Sequence, residues 1–318
     1  MWWGDWRIEA AILVIAILVD LVAREAPSAI HPVVWMGKLI AWLERLSPGP
    51  DRRAPSLVAG VGMAVLVPAV SGGVAWLATS ALRQFGPIAY VLVGSVLAST
   101  TFAVSELGRA ANRTRSAMEA GDDPGARRSL RSLVSRDTRT LAPPLVAMAA
   151  IESVAENTTD SFVGPWLAFA LFGLPGAFAY RAINTLDSMI GYRGRYEHLG
   201  KASARLDDLV NLIPARLSTL LMLVAGRLFG GMPARRGWRI AMRDHGLTAS
   251  PNAGWTIGAA AGLLEVALEK AGHYRIGDGL RDPGHSDIGA AVRLGYGVAA
   301  VALPVMVGVL AIRGWVWT

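Results

Sequence analysis

"LAPPLVAMAAIESVAENTTDSFVGPWLAFALFGLPGAFAY", residues 141–180, is apolar at both ends and polar only in its middle. About 20 predominantly apolar residues suffice to cross a bilayer as a helix, so a stretch this long points to a chain built in a membrane. The polar interruption, Glu152 to Pro165, sets Glu152, Glu156 and Asp160 four residues apart, with Asn157 among them. On a continuous helix such positions share one face and form an acidic stripe. A carboxylate at membrane depth is costly and faces a cavity, a partner or an ion. The plain reading of the stripe is ion pairing with arginines of a neighbouring helix. The functional reading is an acid–base or divalent-metal site, and Mg²⁺, which takes one or two carboxylates together with water and phosphate oxygens, suits it.

Composition agrees with the membrane reading. Of 318 residues 53% are hydrophobic and only 17% charged, against about 25% charged in soluble domains; mean hydropathy is +0.40. There is no cysteine, which excludes disulfides, thiolate metal sites and cysteine nucleophiles. The net charge of +7 reads as positive-inside bias rather than nucleic-acid binding, since no basic stretch is interleaved with stacking aromatics as in an RNA or DNA module.

Further apolar runs lie at Ile8–Ala23, Leu57–Thr79, Pro87–Val104, Leu209–Phe229 and Ala290–Ile312, with a short amphipathic helix around Met36–Leu46. The polar block at about 105–140 reads as two surface helices joined by the turn "GDDPG". Arginine is concentrated in the loop after the first run and in this block, which places both in the cytoplasm. The basic segments on either side of Leu209–Phe229 do not alternate, so that run is either re-entrant or in-plane, or one basic loop breaks the rule. The expected fold is all-α: one polytopic helical membrane domain over 1–318 with short cytoplasmic helices.

Three more polar segments interrupt the apolar pattern. Residues 180–217 gather Arg181, Asn184, Asp187, Arg193, Arg195, Lys201, Arg205, Asp207 and Asp208. Guanidinium forks suit phosphate, and adjacent carboxylates suit the metal that accompanies it; the plain alternative is a solvated loop with ordinary surface pairs. Asn184 and Asp187 stand apart because their neighbours are small and apolar. "SPNAGW", residues 250–255, opens a turn before an expected amphipathic helix, "AGWTIGAAAGLLEVALE", where Asn252 and free N–H groups suit an anion or form a plain N-terminal turn. His31, before Pro32, is a proton carrier or a loop histidine. There is no phosphate-binding P-loop, dinucleotide fingerprint, zinc-protease motif or nucleophile elbow. The residues alone thus describe a cytoplasm-facing site for a phosphorylated ligand and Mg²⁺, and a transporter of an anionic solute fits about as well.

"HPVVWMGKLI", "ESVAENTTDSFVGP", "YRAINTLDSMIGYR", "ASARLDDLVNLIPARL" and "SPNAGW" occur in this order from His31 to Trp255. Together they resemble the CobD/CbiB family, the adenosylcobinamide-phosphate synthases of cobalamin biosynthesis. Trp35 and Met36, bulkier than expected, and the Trp-rich start depart from the pattern without touching its polar positions. The resemblance implies an ATP-dependent amide ligase, with Mg²⁺, joining adenosylcobyric acid to an amino-alcohol phosphate, (R)-1-aminopropan-2-ol phosphate. It implies a multi-pass protein of the cell membrane with its site facing the cytoplasm, and association with other membrane-bound late enzymes of the pathway. On this reading Glu152, Glu156, Asp160, Asn184 and Asp187 do the chemistry. Glu152, Glu156, Asp160, Asp207 and Asp208 hold the metal. His31, Asn157, Arg181, Arg193, Lys201, Arg205 and Asn252 bind substrate and phosphate. The alternative is a transporter or an AmpE-like regulatory membrane protein, which handles its ligand without forming a bond; AmpE-like proteins are expected to lack most of these polar motifs.

Overall fold

The computed structural model describes residues 5–23, 29, 31–192 and 194–316. In chain order its elements are α1 (Trp6–Val22), α2 (Pro32–Leu46), α3 (Arg53–Gln84), α4 (Pro87–Ser99), α5 (Val104–Glu119), α6 (Asp123–Leu130), α7 (Pro143–Thr158), a π-helical turn (Thr159–Val163), α8 (Gly164–Ile190), α9 (Lys201–Val210), α10 (Leu212–Gly230), α11 (Ala234–Asp244), a 3-10 turn (His245–Leu247), α12 (Ala253–Leu264), β1 (Leu268–Lys270), β2 (Tyr274–Ile276) and α13 (His285–Val316). Among the described residues, five helical runs are long and apolar enough to cross a membrane: Arg53–Gln84, Pro87–Glu119, Pro143–Ile190, Leu212–Gly230 and His285–Val316. The protein is all-α and multi-pass. The run at 209–229, ambiguous by charge, forms α10 and meets the length and composition of a span.

The chain gathers into two compact units that interleave in sequence. The first holds Met1–Ala103, Gly164–Val210 and Val305–Thr318; the second holds Val104–Val163 and Asn211–Pro304.

In the first unit α3 packs along α8, and α1 along α4. The α8 stretch is a hairpin rather than a rod. Gly173 breaks it at φ 68°, ψ −160°, and Pro175 follows; only glycine enters that region without strain. The arms fold back so closely that a Cβ on Gly164 would collide with the hydroxyl of Tyr180. In a straight helix those residues would stand about 24 Å apart. The unit also buries a charge. Glu9, 3% exposed, accepts hydrogen bonds from the Tyr90 hydroxyl at 2.8 Å and from Arg83 at 3.3 Å.

In the second unit α11 and α12 meet through small residues: a Cβ on Gly262 would come within 2.6 Å of the Gly237 Cα. Such contacts gain dispersion energy over the whole crossing. Nine consecutive residues of α12, Thr256–Leu264, and Gly254 before them are buried, so this helix is apolar on every side rather than amphipathic. The helix expected over 253–269 stops at Leu264, where Glu265 turns left-handed at φ 57°. The chain then enters β1, which pairs antiparallel with β2 from Leu268–Ile276 to Lys270–Tyr274. This hairpin packs against α7. The two polar-block helices appear as α5 and α6; Asp122 caps α6 by accepting from the Gly125 N–H at 2.8 Å.

Candidate functional site

The polar residues singled out in the sequence fall into two sets, one in each unit. In the second unit the acidic stretch begins on α7 and ends in the π turn. Glu152 and Glu156 lie on the α-helix, whereas Asp160 sits where the helix widens, so the three do not form one regular stripe. Local hydrogen bonding accompanies the change. The Thr158 hydroxyl donates to the Val154 carbonyl at 2.8 Å, the back-bond that bends helices. Asn157 spends its amide on the same helix: Nδ2 donates to the Ser153 carbonyl at 2.9 Å, and Oδ1 accepts from the Ser161 hydroxyl at 3.3 Å. π turns inside α-helices are frequent at functional sites.

Glu152 is buried, 5% exposed, and accepts from Arg136 at 3.1 Å. Tyr274, on β2, also donates to it, and burial followed by the carboxylates of Glu152 and Glu156 holds the Tyr274 phenol above its usual range. The hydroxyl therefore stays a donor at any ordinary pH. Arg136 keeps a buried Nε–H with no hydrogen-bond partner. It lines a cleft of about 230 Å³ with Asp137, Leu141, Leu145, Lys270 and His273. At the rim, the exposed Asp137 carboxyl is held down at about 2 by hydrogen bonds from Arg139. Neither Arg136 nor Tyr274 stood out in the sequence, because their partners are 16 and 122 positions away and no periodicity links them. The only trace was the basic end of the polar block.

Asn252 lies in the same unit. It is buried, and its Oδ1 accepts from Arg216, which also stacks over Trp255. The N–H of Gly254, at the start of α12, is taken by the Thr248 hydroxyl at 3.1 Å, so the helix start is already capped in part. His245 stacks on Trp255 with ring centroids 4.3 Å apart.

In the first unit Arg181, Asn184 and Asp187 occupy successive turns of the returning arm of α8, all half-buried. Arg181 donates to Asn184 Oδ1 at 3.4 Å. Asp187 leans over the helix end: a Cβ on Gly191 would collide with its carboxylate. Asp208, on α9, lies within electrostatic reach of Asp187. Its ion pair with Arg205 is long, 3.9 Å, on an arginine 78% exposed, so it constrains little. Asp207 is half-buried beside it, and Lys201 is exposed at the start of α9. Arg193 lies outside the described residues. His31 caps α2, its Nδ1 accepting from the Val33 N–H at 3.3 Å, which leaves Nε2 as the protonated nitrogen of a neutral ring. A separate polar cleft of about 380 Å³ opens between the end of α2 and the loop 194–199, where Glu44 accepts from Tyr196 at 2.7 Å and from Arg195 at 3.3 Å.

Among the described residues no three of His, Asp and Glu converge as a cage for an ion. A metal held here has to complete its shell with water and ligand oxygens. Asp187 and Asp208 suit that role for Mg²⁺, which favours one or two carboxylates plus phosphate. Glu152 is already engaged by Arg136 and Tyr274.

Comparison with known proteins bears on all of these residues at once. The family described as CobD/Cbib protein matches residues 13–295. The "Cobalamin biosynthesis protein CobD" of Dehalococcoides mccartyi is 45% identical over 270 residues, covering 85% of this chain and 87% of that protein. The protein of the same name from Geobacter metallireducens is 42% identical over 298 residues, 90% and 92% of the two chains. That of Klebsiella pneumoniae is 36% identical over 308 residues, 93% and 95%. No solved structure matches. Matched from its first helix into its last, and at this identity, the chain belongs to the CobD/Cbib protein family.

Proposed function

We propose that this protein acts in cobalamin biosynthesis as adenosylcobinamide-phosphate synthase, an ATP-dependent ligase. It joins the free carboxylate of adenosylcobyric acid to the amine of (R)-1-aminopropan-2-ol phosphate. The names of its relatives support the pathway. The observation that carries the chemistry is the Asp187–Asp208 pair beside Arg181 and Asn184: two carboxylates for a cation, and a guanidinium fork and an amide for phosphate oxygens.

A carboxylate is a poor acylating agent. Transfer of the ATP γ-phosphoryl group to it gives an acyl phosphate and ADP. Attack of the neutral amine on the acyl carbon then forms the amide, expels inorganic phosphate and releases one proton. Mg²⁺, when bound, neutralises charge on the triphosphate. Asp187 and Asp208 would hold it, Arg181 would orient phosphate in bidentate fashion, and Asn184 would keep the Arg181 fork in place. In the second unit, Glu156 and Asp160, half-buried on the π-turned helix, are carboxylates able to accept a proton. On the same helical run as these two, Glu152 is held by Arg136 and Tyr274. The site faces the cytoplasm on this reading, where ATP is supplied and where the arginine-rich block 105–140 resides by the positive-inside rule.

The test is direct. Purified protein in detergent receives adenosylcobyric acid, aminopropanol phosphate and MgATP, and the corrinoids are resolved by mass. Appearance of the amide, with ADP formed only when acid and amine are both present, supports the ligase. An unchanged corrinoid mass, with labelled ligand accumulating in sealed vesicles, would instead establish a transporter.

A further inference from the structure

The end of α10 and the outer face of α11 carry a surface that the proposed chemistry does not use. Down α11, Arg235, Trp238, Arg239 and Met242 are exposed and follow one another at i, i+3, i+4 and i+7, which puts them on one stripe of the helix. Trp238 is 42% and Met242 47% exposed; just before the helix, Leu228 and Phe229 stand 66% and 64% exposed beside the exposed Arg227.

The opposite face of α11 is fixed. Gly237, Ile240, Ala241 and Asp244 are buried. Gly237 packs against Gly262 of α12, and Asp244 Oδ2 accepts from the Gly277 N–H at 2.8 Å. Two arginines at the edge are spent locally, Arg236 on Glu265 and Arg243 on Asp244. Among the described residues Arg227, Arg235 and Arg239 make no such pair. The surface thus joins fixed apolar anchors to uncompensated guanidiniums, with no carboxylate on the stripe itself. This is the make-up of a helix lying in a membrane interface. Its aromatic and thioether side chains enter the acyl boundary while arginines reach headgroup phosphates.

We propose that the end of α10 and the outer stripe of α11 form a docking surface for anionic phospholipid headgroups, phosphatidylglycerol being the simplest. Charge complementarity selects the occupant: a zwitterionic headgroup offers no net charge to three unpaired arginines, while an anionic leaflet attracts each of them.

The experiment uses the full chain in a neutral detergent, titrated with phosphatidylglycerol or phosphatidylcholine of the same acyl chains, with retained lipid counted by native mass spectrometry. Wild-type protein should retain phosphatidylglycerol in preference, and the preference should fall with added salt. The triple variant R227Q/R235Q/R239Q, altered only at exposed positions, should lose about tenfold or more in apparent affinity for phosphatidylglycerol. A control, R128Q/R131Q in the polar block, should stay within about twofold, since no apolar anchors flank those arginines. W238A should weaken retention of phosphatidylglycerol with its salt dependence kept. Equal retention of the two lipids by wild type would overturn the proposal, as would a preference unchanged in the triple variant. So would displacement of the lipid by millimolar inorganic phosphate, because the surface would then be a site for free anions.

Discussion

Each unit buries one glutamate under the same pair of partners, an arginine and a tyrosine. In the first, Glu9 receives Arg83 and Tyr90; in the second, Glu152 receives Arg136 and Tyr274. The chemistry of the two clusters is alike, yet their surroundings differ. Among the described residues Glu9 is the lone carboxylate of its cluster, and it lies beside the packed turn at Gly173. Glu152 has Glu156 and Asp160 on the same helical run, the helix widens into a π turn there, and its arginine lines an open cleft. A buried ion pair by itself therefore says little about function. The first cluster is a clasp, and the second is a clasp with further charge and space beside it.

The comparison is broken most easily at Arg83. Arg83→Ala strands the Glu9 carboxylate away from water, an uncompensated buried charge worth about 3–5 kcal/mol. The expected result is a much lower melting temperature and yield, with turnover per folded molecule unchanged. A variant as stable as wild type would mean that Glu9 is solvated or neutral, and the clasp reading would fail.

Next in size is the carboxylate set of the second unit. Glu156→Gln and Asp160→Asn keep shape and delete charge. If these groups handle the proton or the developing charge of the ligation, turnover falls roughly a hundredfold or more with the melting temperature nearly unchanged. The reverse pattern, stability lost and turnover kept, would make this cluster equivalent to the first.

A smaller effect is expected at Arg181, where lysine preserves charge but not the fork. Arg181→Lys should raise the KM for MgATP or for the amino-alcohol phosphate by roughly tenfold. Wild-type kinetics in this variant would remove Arg181 from phosphate binding.

The smallest effect is read by pH at the tyrosine of the second cluster. In the folded protein Tyr274 keeps its proton above the usual phenol range, while in the unfolded chain it ionises near pH 10. The folded state then binds the extra proton, so its contribution is complete below about pH 10 and is lost as pH rises through the folded-state value. The melting temperature of wild type should exceed that of Tyr274→Phe by a margin that is constant up to pH 9 and shrinks above pH 10. A constant margin through pH 11 would show that Tyr274 is not held by the carboxylates.

Hydropathy made the long helices legible because a span must be apolar over its whole length; α3, α10 and α13 fall where the apolar runs lie. The "GDDPG" turn likewise announced α5 and α6. What hydropathy does not report is where an apolar run turns around. Residues 164–180 are continuously apolar, yet the chain folds back at Gly173, and "GLPG" was the only mark of it. The end of α12 was misread for a similar reason: "LLEVALE" fits a helix by propensity, but Val266–Leu268 are buried, Val266 bridges to Arg281 and Leu268 pairs with Ile276 of β2, and tertiary contacts decide such short segments. Of the candidate site, Glu152 and Asp187 stood out in the sequence as costly polar groups in apolar surroundings, and Asp208 only as one of two adjacent carboxylates in the basic segment 180–217. Their partners were not, because the choice of Arg136 among many arginines is made by the folded chain.

The π turn at Thr159–Val163 has a consequence in terms of ancestry. Closing a ring from i to i+5 instead of i to i+4 accommodates one surplus residue. A plain α-helix becomes this helix by the gain of a single codon, and reverts by its loss. Each residue advances a helix by about 100°, so such a deletion would swing every later side chain of the run by more than a quarter of a turn while changing no residue type. A family whose members differ by one codon here would differ in which carboxylates meet.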